Sequence, residues 1–481
     1  MPATGNLTRR IVASLLTLAA AVALTAPARA EAARPFDIGF SDAMYGSPER
    51  DLWFDRTSQV GADIIRVNMY WAVVGFEKPS NPRDPADPAY NWAEYDRQIA
   101  SAKEHGFDVE LTVTNAPHWA EGPGRPPSFE VAPAGSWKPD ADAYGDFIHA
   151  VATRYSGSYV SGQETLPRID YLEAWNEPNL GTYINPQYSG RQNVSAGIYV
   201  KLLNNAYDEV KSVDPSIGVV TGGTAPYGDP PSSKATKTSP LAFYRELLCL
   251  NRKLKRKACS GGERAKFDII AHHPINRAEG PDAHGPRDDD VMIADFGDLR
   301  KTLRAAERQG TTGTPGRHGL WANEIWWQTD PPDKGEGVSY RTHALWTEQA
   351  LYMLWRQGAS NVTFLQIRDT KQKSRHEYTL DTYQTGIYTY GGKRKPTATA
   401  VAFPFVTDRR GKSKLLAWGR PPKSGKLTIE AKRRGHGGFR RVARLRVTEG
   451  KVFKKPLRIR GDAKLRAKVG GKSSLIWPQR G

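Results

Sequence analysis

Two stretches of the sequence end in residues able to do chemistry. Segment 171–179 reads YLEAWNEPN and closes on Trp175, Asn176, Glu177 and Pro178. Proline brings no N–H to a sheet ladder, so a strand written here stops at Asn-Glu-Pro and leaves the Glu177 carboxylate at the mouth of the sheet. Segment 320–327, LWANEIWW, puts Glu324 in a matching setting, after Asn323 and before Trp326. A lone Asn-Glu-Pro reads equally well as a polar turn. Two strand-end carboxylates, each beside an amide and an indole, read as a working pair. Cleavage at an acetal carbon needs one protonated carboxyl to release the leaving oxygen and one ionised carboxylate facing the carbon.

The intervening chain must position that pair. Apolar runs predict strands at 36–40, 62–68, 108–114, 169–175, 217–223, 267–274, 319–324 and 361–367. Stretches with helical spacing separate them, at 52–60, 95–105, 141–155, 195–213, 241–250, 295–308, 338–357 and 396–402. Gly106 and Gly358 follow two of these helices as C-caps, and Pro396 opens the last. Strands alternating with helices imply a parallel sheet covered by helices, and eight units imply closure into a (β/α)8 TIM barrel, an α/β fold. In such barrels the chemistry sits at the C-terminal ends of the strands, where Glu177 and Glu324 fall. An open doubly wound sheet is the alternative; no glycine-rich phosphate fingerprint follows the first strand to support its nucleotide-binding form.

The N-terminal residues 1–30 read as a secretory signal peptide: Arg9 and Arg10, an apolar run over 11–26, then Ala28-Arg29-Ala30 as a small-x-small cleavage pattern. An uncleaved anchor is the alternative. No later stretch reaches the roughly 18 apolar residues of a spanning helix, so no transmembrane anchor is expected after cleavage. Cys249 and Cys259, ten residues apart in a basic polar segment, read with an export signal as one disulfide closing a surface loop. No further Cys or nearby His completes a four-ligand set; no metal and no cofactor are expected, and of the adjacent His272 and His273 one reads as core. The location implied is secreted, extracellular or wall-associated.

Beyond the barrel, expected at 31–408, the texture changes. Residues 409–481 hold 24 Lys and Arg against Glu430, Glu449 and Asp462, a surplus larger than the +18 net charge of the whole chain. The preceding residues are therefore near neutral. Short period-two runs at 426–430, 439–447, 456–460 and 464–469 predict a small antiparallel β-sandwich-like domain. Ala443, Leu445 and Val447 share one face, and Arg444 and Arg446 the other. A merely solvated face usually mixes signs; one with almost no acids fits attachment to an anionic cell-wall or extracellular polymer. Nucleic acid is not expected, because no aromatics interleave the basic face.

The pattern resembles the retaining glycoside hydrolases of clan A, and within it most the family 39 and family 5-type enzymes. The resemblance rests on Trp-Asn-Glu-Pro ending strand four and a second Glu ending strand seven. Gly39 to Asp42, Arg66-Val67-Asn68 with Trp71 beyond, Thr385-Gly386-Ile387-Tyr388 and Lys395-Pro396 are also similar; together they span about 36–406. It implies Glu177 as general acid/base and Glu324 as nucleophile, in a secreted β-specific O-glycosyl hydrolase acting by double displacement on a polysaccharide or oligosaccharide. A retaining pair lies about 5–5.5 Å apart. The acid's pKa must be raised, which a like charge and partial burial achieve.

Asn176 would then bond the hydroxyl beside the reacting carbon. Arg66 would keep Glu324 ionised, unless it serves only as a rim salt bridge. His118 and Trp119, after strand three, Trp326 after strand seven and His273 at the end of strand six would contact or support the substrate. Two positions depart from the family. Ile275 stands where a Tyr often follows the strand-six His, and Gln366 lies where a Trp often floors the sugar site. Thirteen Trp and 20 Tyr supply rings that could stack on sugars or simply fill the core. A non-catalytic carbohydrate- or wall-binding protein on the same barrel is the competing reading; it has no need to keep both glutamates.

Overall fold

The computed structural model describes residues 35–127, 132–371, 383–433, 435 and 437–481. The expected signal peptide at 1–30 lies outside the described residues. Eight parallel strands form a closed barrel in chain order. They are β1 (Asp37–Ser41), β2 (Ile64–Tyr70), β3 (Asp108–Thr114), β4 (Tyr171–Ala174), β5 (Gly218–Thr221), β6 (Ile269–His272), β7 (Gly319–Ile325) and β8 (Asn361–Leu365). The ring closes where Asp37 pairs with Asn361 and Ser41 with Leu365. Besides a single helical turn at Trp71–Val74, a helix follows each strand in turn: α1 (Arg50–Gln59), α2 (Ala93–Glu104), α3 (Ala141–Arg154), α4 (Ser195–Val213), α5 (Pro240–Leu247), α6 (Phe296–Gln309), α7 (Tyr340–Gln357) and α8 (Thr397–Ala402).

Local chemistry sets these boundaries. Asp140 caps α3 by accepting from the backbone N–H groups of Asp142 and Ala143. Gly358 ends α7 at φ 117°, its N–H returning to Leu354 and Trp355 as an αL cap requires. Pro396 sits one position before its expected place, at the cap of α8.

Period two stacks the barrel interior in layers. Ile64, Val220, Ala271 and Trp321 form a buried apolar plug. Two residues further along β2 and β7, on the same inner face, stand Arg66 and Asn323. Arg66 pairs in register with Glu110 of β3, and Glu173 of β4 joins them; all four are buried. A charged layer thus lies directly on an apolar one, toward the C-terminal ends of the strands.

The C-terminal region forms two antiparallel sheets. One joins β9 (Phe405–Arg409), β10 (Lys414–Gly419) and β13 (Phe453–Arg458). The other joins β11 (Gly425–Arg433), β12 (Arg440–Val447), β14 (Ala463–Val469), β15 (Lys472–Ser473) and β16 (Trp477–Gln479). They share a core of Phe405, Leu415, Leu427, Ile429, Leu465, Ala467 and Val469. The expected boundary at 408/409 falls inside β9, and both β9 and β10 escaped the sequence reading. Their inward residues (Phe405, Val406, Leu415, Ala417, Trp418) form a nearly continuous apolar run rather than an alternation, because Val406 and Trp418 pack against the barrel's own core. Arg420 also ties the tail to the barrel, donating to both carboxylate oxygens of Asp63.

Candidate active site

Several residues at the C-terminal rim of the barrel hold left-handed backbone. Asn115, Trp175, Glu177 and Gln366 all hold positive φ, at 59°, 78°, 39° and 72°. Non-glycine residues rarely do so, and each such residue costs on the order of 1–3 kcal/mol. The conformation is held from outside. The Trp175 indole is buried and donates to the Tyr183 carbonyl at 3.0 Å, and the Glu177 N–H donates to the Gly223 carbonyl at 3.0 Å. Strand β7 carries a matching irregularity. Its register against β8 shifts between Ala322 and Ile325, a bulge spanning Asn323 and Glu324. A bulge re-aims a side chain, here the second glutamate.

These distortions bring the two carboxylates to one imidazole. His273 Nδ1 lies 2.9 Å from Glu177 Oε1 and 3.9 Å from Glu324 Oε2. The imidazole is fully buried, while the two carboxyl side chains are 15 % and 17 % exposed, as groups that face a cleft should be. Glu177 Oε1 and Glu324 Oε2 are therefore no further apart than those two distances summed. Gly223 makes the approach possible: a Cβ there would meet His273 Nε2 at 2.3 Å and Asn323 Oδ1 at 2.6 Å.

Burial works against the His273 cation, yet the charge of Glu324 and the hydrogen bond and charge of Glu177 outweigh it and raise its pKa. Burial likewise pushes Glu324 above the usual carboxylate range, with the Glu177 charge adding to it against His273 and Arg66.

Arg66 does not serve chiefly the glutamate expected. Its contact with Glu324 is long, 3.4 Å from Nη1. Its shorter bonds, each 2.8 Å, run from Nε to Glu173 and from Nη2 to the Asn176 amide oxygen. It therefore acts mainly as the counter-charge of Glu173 and the clamp of Asn176, and Glu324 stays raised despite it. Glu173 accepts further bonds from Gly223 N and Asn323 Nδ2, each at 2.8 Å. Burial alone would raise Glu173; Arg66 and His273 reverse this and hold it below its ordinary value. Glu110, beside it, is pushed up to about 8 by burial and by the Glu173 charge. One of two adjacent buried carboxyls thus stays neutral, as expected when like charges share a site.

The other expected residues divide. Asn176 is buried and in place. Trp326 is half-buried at the end of β7, with its ring 5.3 Å from that of Tyr383. Gln366 closes β8, where its amide oxygen accepts from Thr385 at 2.9 Å. His118 and Trp119 stand on a short 3-10 turn further out. His118 is exposed beside Phe76, and the Trp119 indole donates to the Gly75 carbonyl at 3.0 Å. Phe76 and Tyr70 are 62 % and 44 % exposed. His272 is core: its ring nitrogens bond the Thr224 hydroxyl and the Val291 carbonyl, and burial lowers it to about 3. Cys249 and Cys259 are joined as a disulfide.

Three phenols face the pair without having been singled out in the sequence. Tyr183 bonds Asn176, and burial, with Glu177 and Glu324, lifts it far above its ordinary value. Burial raises Tyr70 and Tyr383 too, and both feel the Glu324 charge. They arrive from β2 and from loops after β4 and β8, while at Ile275 the Tyr227 hydroxyl donates to the backbone carbonyl at 3.1 Å. Glu110 and Glu173 were also missed, although an acid on the inward register of an otherwise apolar strand was a readable signal.

No family model matches the chain, and no curated protein matches it by sequence. Among solved structures, a family 39 glycoside hydrolase from the gut symbiont Bacteroides cellulosilyticus WH2 aligns over 88% of this chain and 81% of its own, with a TM-score of 0.56 at 16% identity. The chain shares the fold of that hydrolase. A glucosidase from Croceicoccus marinus aligns over 89% of this chain and 94% of its own, with a TM-score of 0.50 at 12% identity. At these identities the likeness concerns the closed barrel and its appended sheets. What the site does must be argued from its own residues.

Proposed function

We propose that the protein is an exported β-specific O-glycosyl hydrolase that cleaves a polysaccharide or oligosaccharide with retention, through a covalent glycosyl-enzyme. The observation that carries this reading is the single imidazole of His273 held between Glu177 and Glu324 at the C-terminal mouth of the barrel. Glu177 gives its proton to the glycosidic oxygen as that bond breaks, while a Glu324 oxygen bonds to the anomeric carbon. The ester removes the Glu324 charge, so that Glu177 faces a neutral acyl group when water enters. Glu177 then takes a proton from water, the water oxygen bonds to the anomeric carbon, and Glu324 leaves as carboxylate.

His273 and Arg66 supply the positive charge that lets two carboxylates approach each other. Arg66 also orients Asn176 toward the sugar hydroxyl beside the reacting carbon. Trp326, Tyr383, Trp119 and Phe76 offer rings to sugar faces. Export is supported by the disulfide and by the charge and apolar pattern of residues 1–30. No helix among the described residues is long and apolar enough to cross a membrane.

A panel of aryl β-glycosides and β-linked polysaccharides, followed by NMR of the anomeric proton, tests the reading. Product of unchanged configuration, lost in Glu324→Gln, is expected. For Glu177→Ala on an activated aryl substrate, azide should restore turnover as the β-glycosyl azide. Inverted product, or turnover that survives Glu324→Gln, overturns it.

A further inference from the structure

The outward face of the second C-terminal sheet is organised in a way that folding does not require. Across β11 and β12, Lys426 stands opposite Arg446 and Thr428 opposite Arg444. Across β11 and β14, Thr428 stands opposite Lys468, Glu430 opposite Arg466, and Lys432 opposite Lys464. Lys426/Arg446 and Lys432/Lys464 are like-charge cross-strand pairs, an arrangement that destabilises a sheet. The inward residues of the same strands, Leu427, Ile429, Leu445, Leu465 and Ala467, build an ordinary apolar core and gain nothing from the charges.

The face has one internal acid. Glu430 accepts from Arg466 at 2.8 Å and lies 3.3 Å from Lys468. Lys426, Lys432, Arg444, Arg446 and Lys464 have no carboxylate at ion-pair distance among the described residues. At the end of the sheet the row continues into a cleft of about 610 Å³ lined by Lys432, Arg433, Lys464 and Arg480. The acid there, Asp462, already accepts from the Gly481 N–H at 2.6 Å.

We infer that this face is a docking surface for a linear, carboxylate-bearing polysaccharide, independent of the carboxylate pair in the barrel. Adjacent strands set the cation columns about 4.7–4.9 Å apart, comparable with the length of one sugar ring. A chain with an acid on successive sugars, laid across the strands, meets adjacent cations at Arg446 and Lys426 and at Lys432 and Lys464, and between these rows the cations Arg444 and Lys468 on either side of Thr428. Its carboxylates offset the cross-strand repulsion that the free sheet retains, and the guanidinium groups of Arg444 and Arg446 match a carboxylate in two-point geometry. A single-stranded nucleic acid needs aromatic platforms for its bases. Phe439, the ring near this face, is half-buried with the Arg466 guanidinium 4.1 Å from its centre.

The test uses the full chain in affinity electrophoresis through polygalacturonate, with dextran as the neutral control. Polygalacturonate should retard the wild type and dextran should not, and added salt should weaken the retardation. The triple variant Lys426→Gln, Arg444→Gln, Lys464→Gln should need roughly tenfold more polygalacturonate for the same retardation, since each exposed pair contributes modestly. Its melting temperature should be equal to or above the wild type's, because two like-charge pairs are relieved. Circular dichroism and activity on a soluble aryl glycoside identify a variant that has merely misfolded. In that case the single substitution Lys464→Gln, tested the same way, should still weaken retardation. Retardation by dextran as strong as by polygalacturonate, retention unchanged in a folded triple variant, or tighter binding per charge to oligo(dT) or to phosphatidylglycerol vesicles would each overturn the proposal.

Discussion

The barrel rim and the outer face of the C-terminal sheet both concentrate charge, and they do so in opposite ways. At the rim, Arg66, Glu173, Glu110, His273 and Glu324 are buried or nearly so, and opposite signs lie in contact through short bonds fixed by strained backbone. On the sheet, cations of one sign stand side by side in solvent, with Glu430 as the one acid on the face among the described residues. Burial explains the difference. A charge taken out of water needs a partner of opposite sign, so the rim must be internally compensated. An exposed charge is solvated and tolerates like neighbours at small cost, so the sheet can leave compensation to a ligand. Compensated charge at a cleft fits chemistry on a bound molecule; uncompensated charge on a flat face fits attachment.

The largest effect that sharpens this contrast belongs to the rim. Glu324→Gln should lower kcat by about 10⁴-fold or more, as loss of a nucleophile does, without weakening retention by polygalacturonate. Glu177→Gln should lower it by about 10²–10⁴-fold for sugar leaving groups and less for activated aryl groups, which need no proton. A steady-state comparison of two leaving groups checks both. Because Glu324 is raised above the ordinary carboxylate range, the acid limb of kcat/KM should fall at a higher pH than an unperturbed glutamate would give.

Next comes stability. Arg66→Met strands the buried Glu173 charge and should cost about 3–5 kcal/mol in denaturant unfolding. A cost below 1 kcal/mol would mean that the rim is not compensated as described.

Glu110 gives a smaller, pH-dependent effect. Its folded pKa, about 8, exceeds its ordinary 4.5. The folded state therefore holds a proton that the unfolded state has lost between those values. Stability from this group is full below 4.5 and declines as pH rises toward 8. Melting curves across that window should slope downward in the wild type and flatten in Glu110→Gln. The smallest effect lies on the sheet. Lys432→Glu, opposite Lys464, should stabilise by about 0.2–1 kcal/mol; a loss of stability would break the comparison from that side.

Part of this was legible before any coordinates. The eight strands and their helices fell within a few residues of where apolar runs and helical spacing placed them, because each element's burial pattern is local. Glu177 and Glu324 could be singled out because Pro178 and the Asn-Glu-Ile-Trp run end strands visibly. Strands β9 and β10 escaped because they are buried on both sides, one toward their own sheet partner and one toward the barrel. That second burial partner lies far away in the chain. Arg66 was found with Glu324 as a partner, but its shorter bonds were not. Its inward position follows from alternation, yet its principal partner, Glu173, is 107 residues away, and only barrel closure makes them neighbours.

The sequence by itself determined the elements, their order, the two carboxylates and the separation of a neutral body from a cationic tail. These depend on side-chain periodicity, on proline and on composition, which are properties of short segments. Only the tertiary structure decided that His273 stands between the glutamates and Arg66 mainly neutralises Glu173. It also decided that Tyr70, Tyr183 and Tyr383 come within reach of the Glu324 charge, and that the tail's cations meet like charges across strands. Each is a distance between residues remote in the chain, set by ring closure and strand register, which no local pattern encodes.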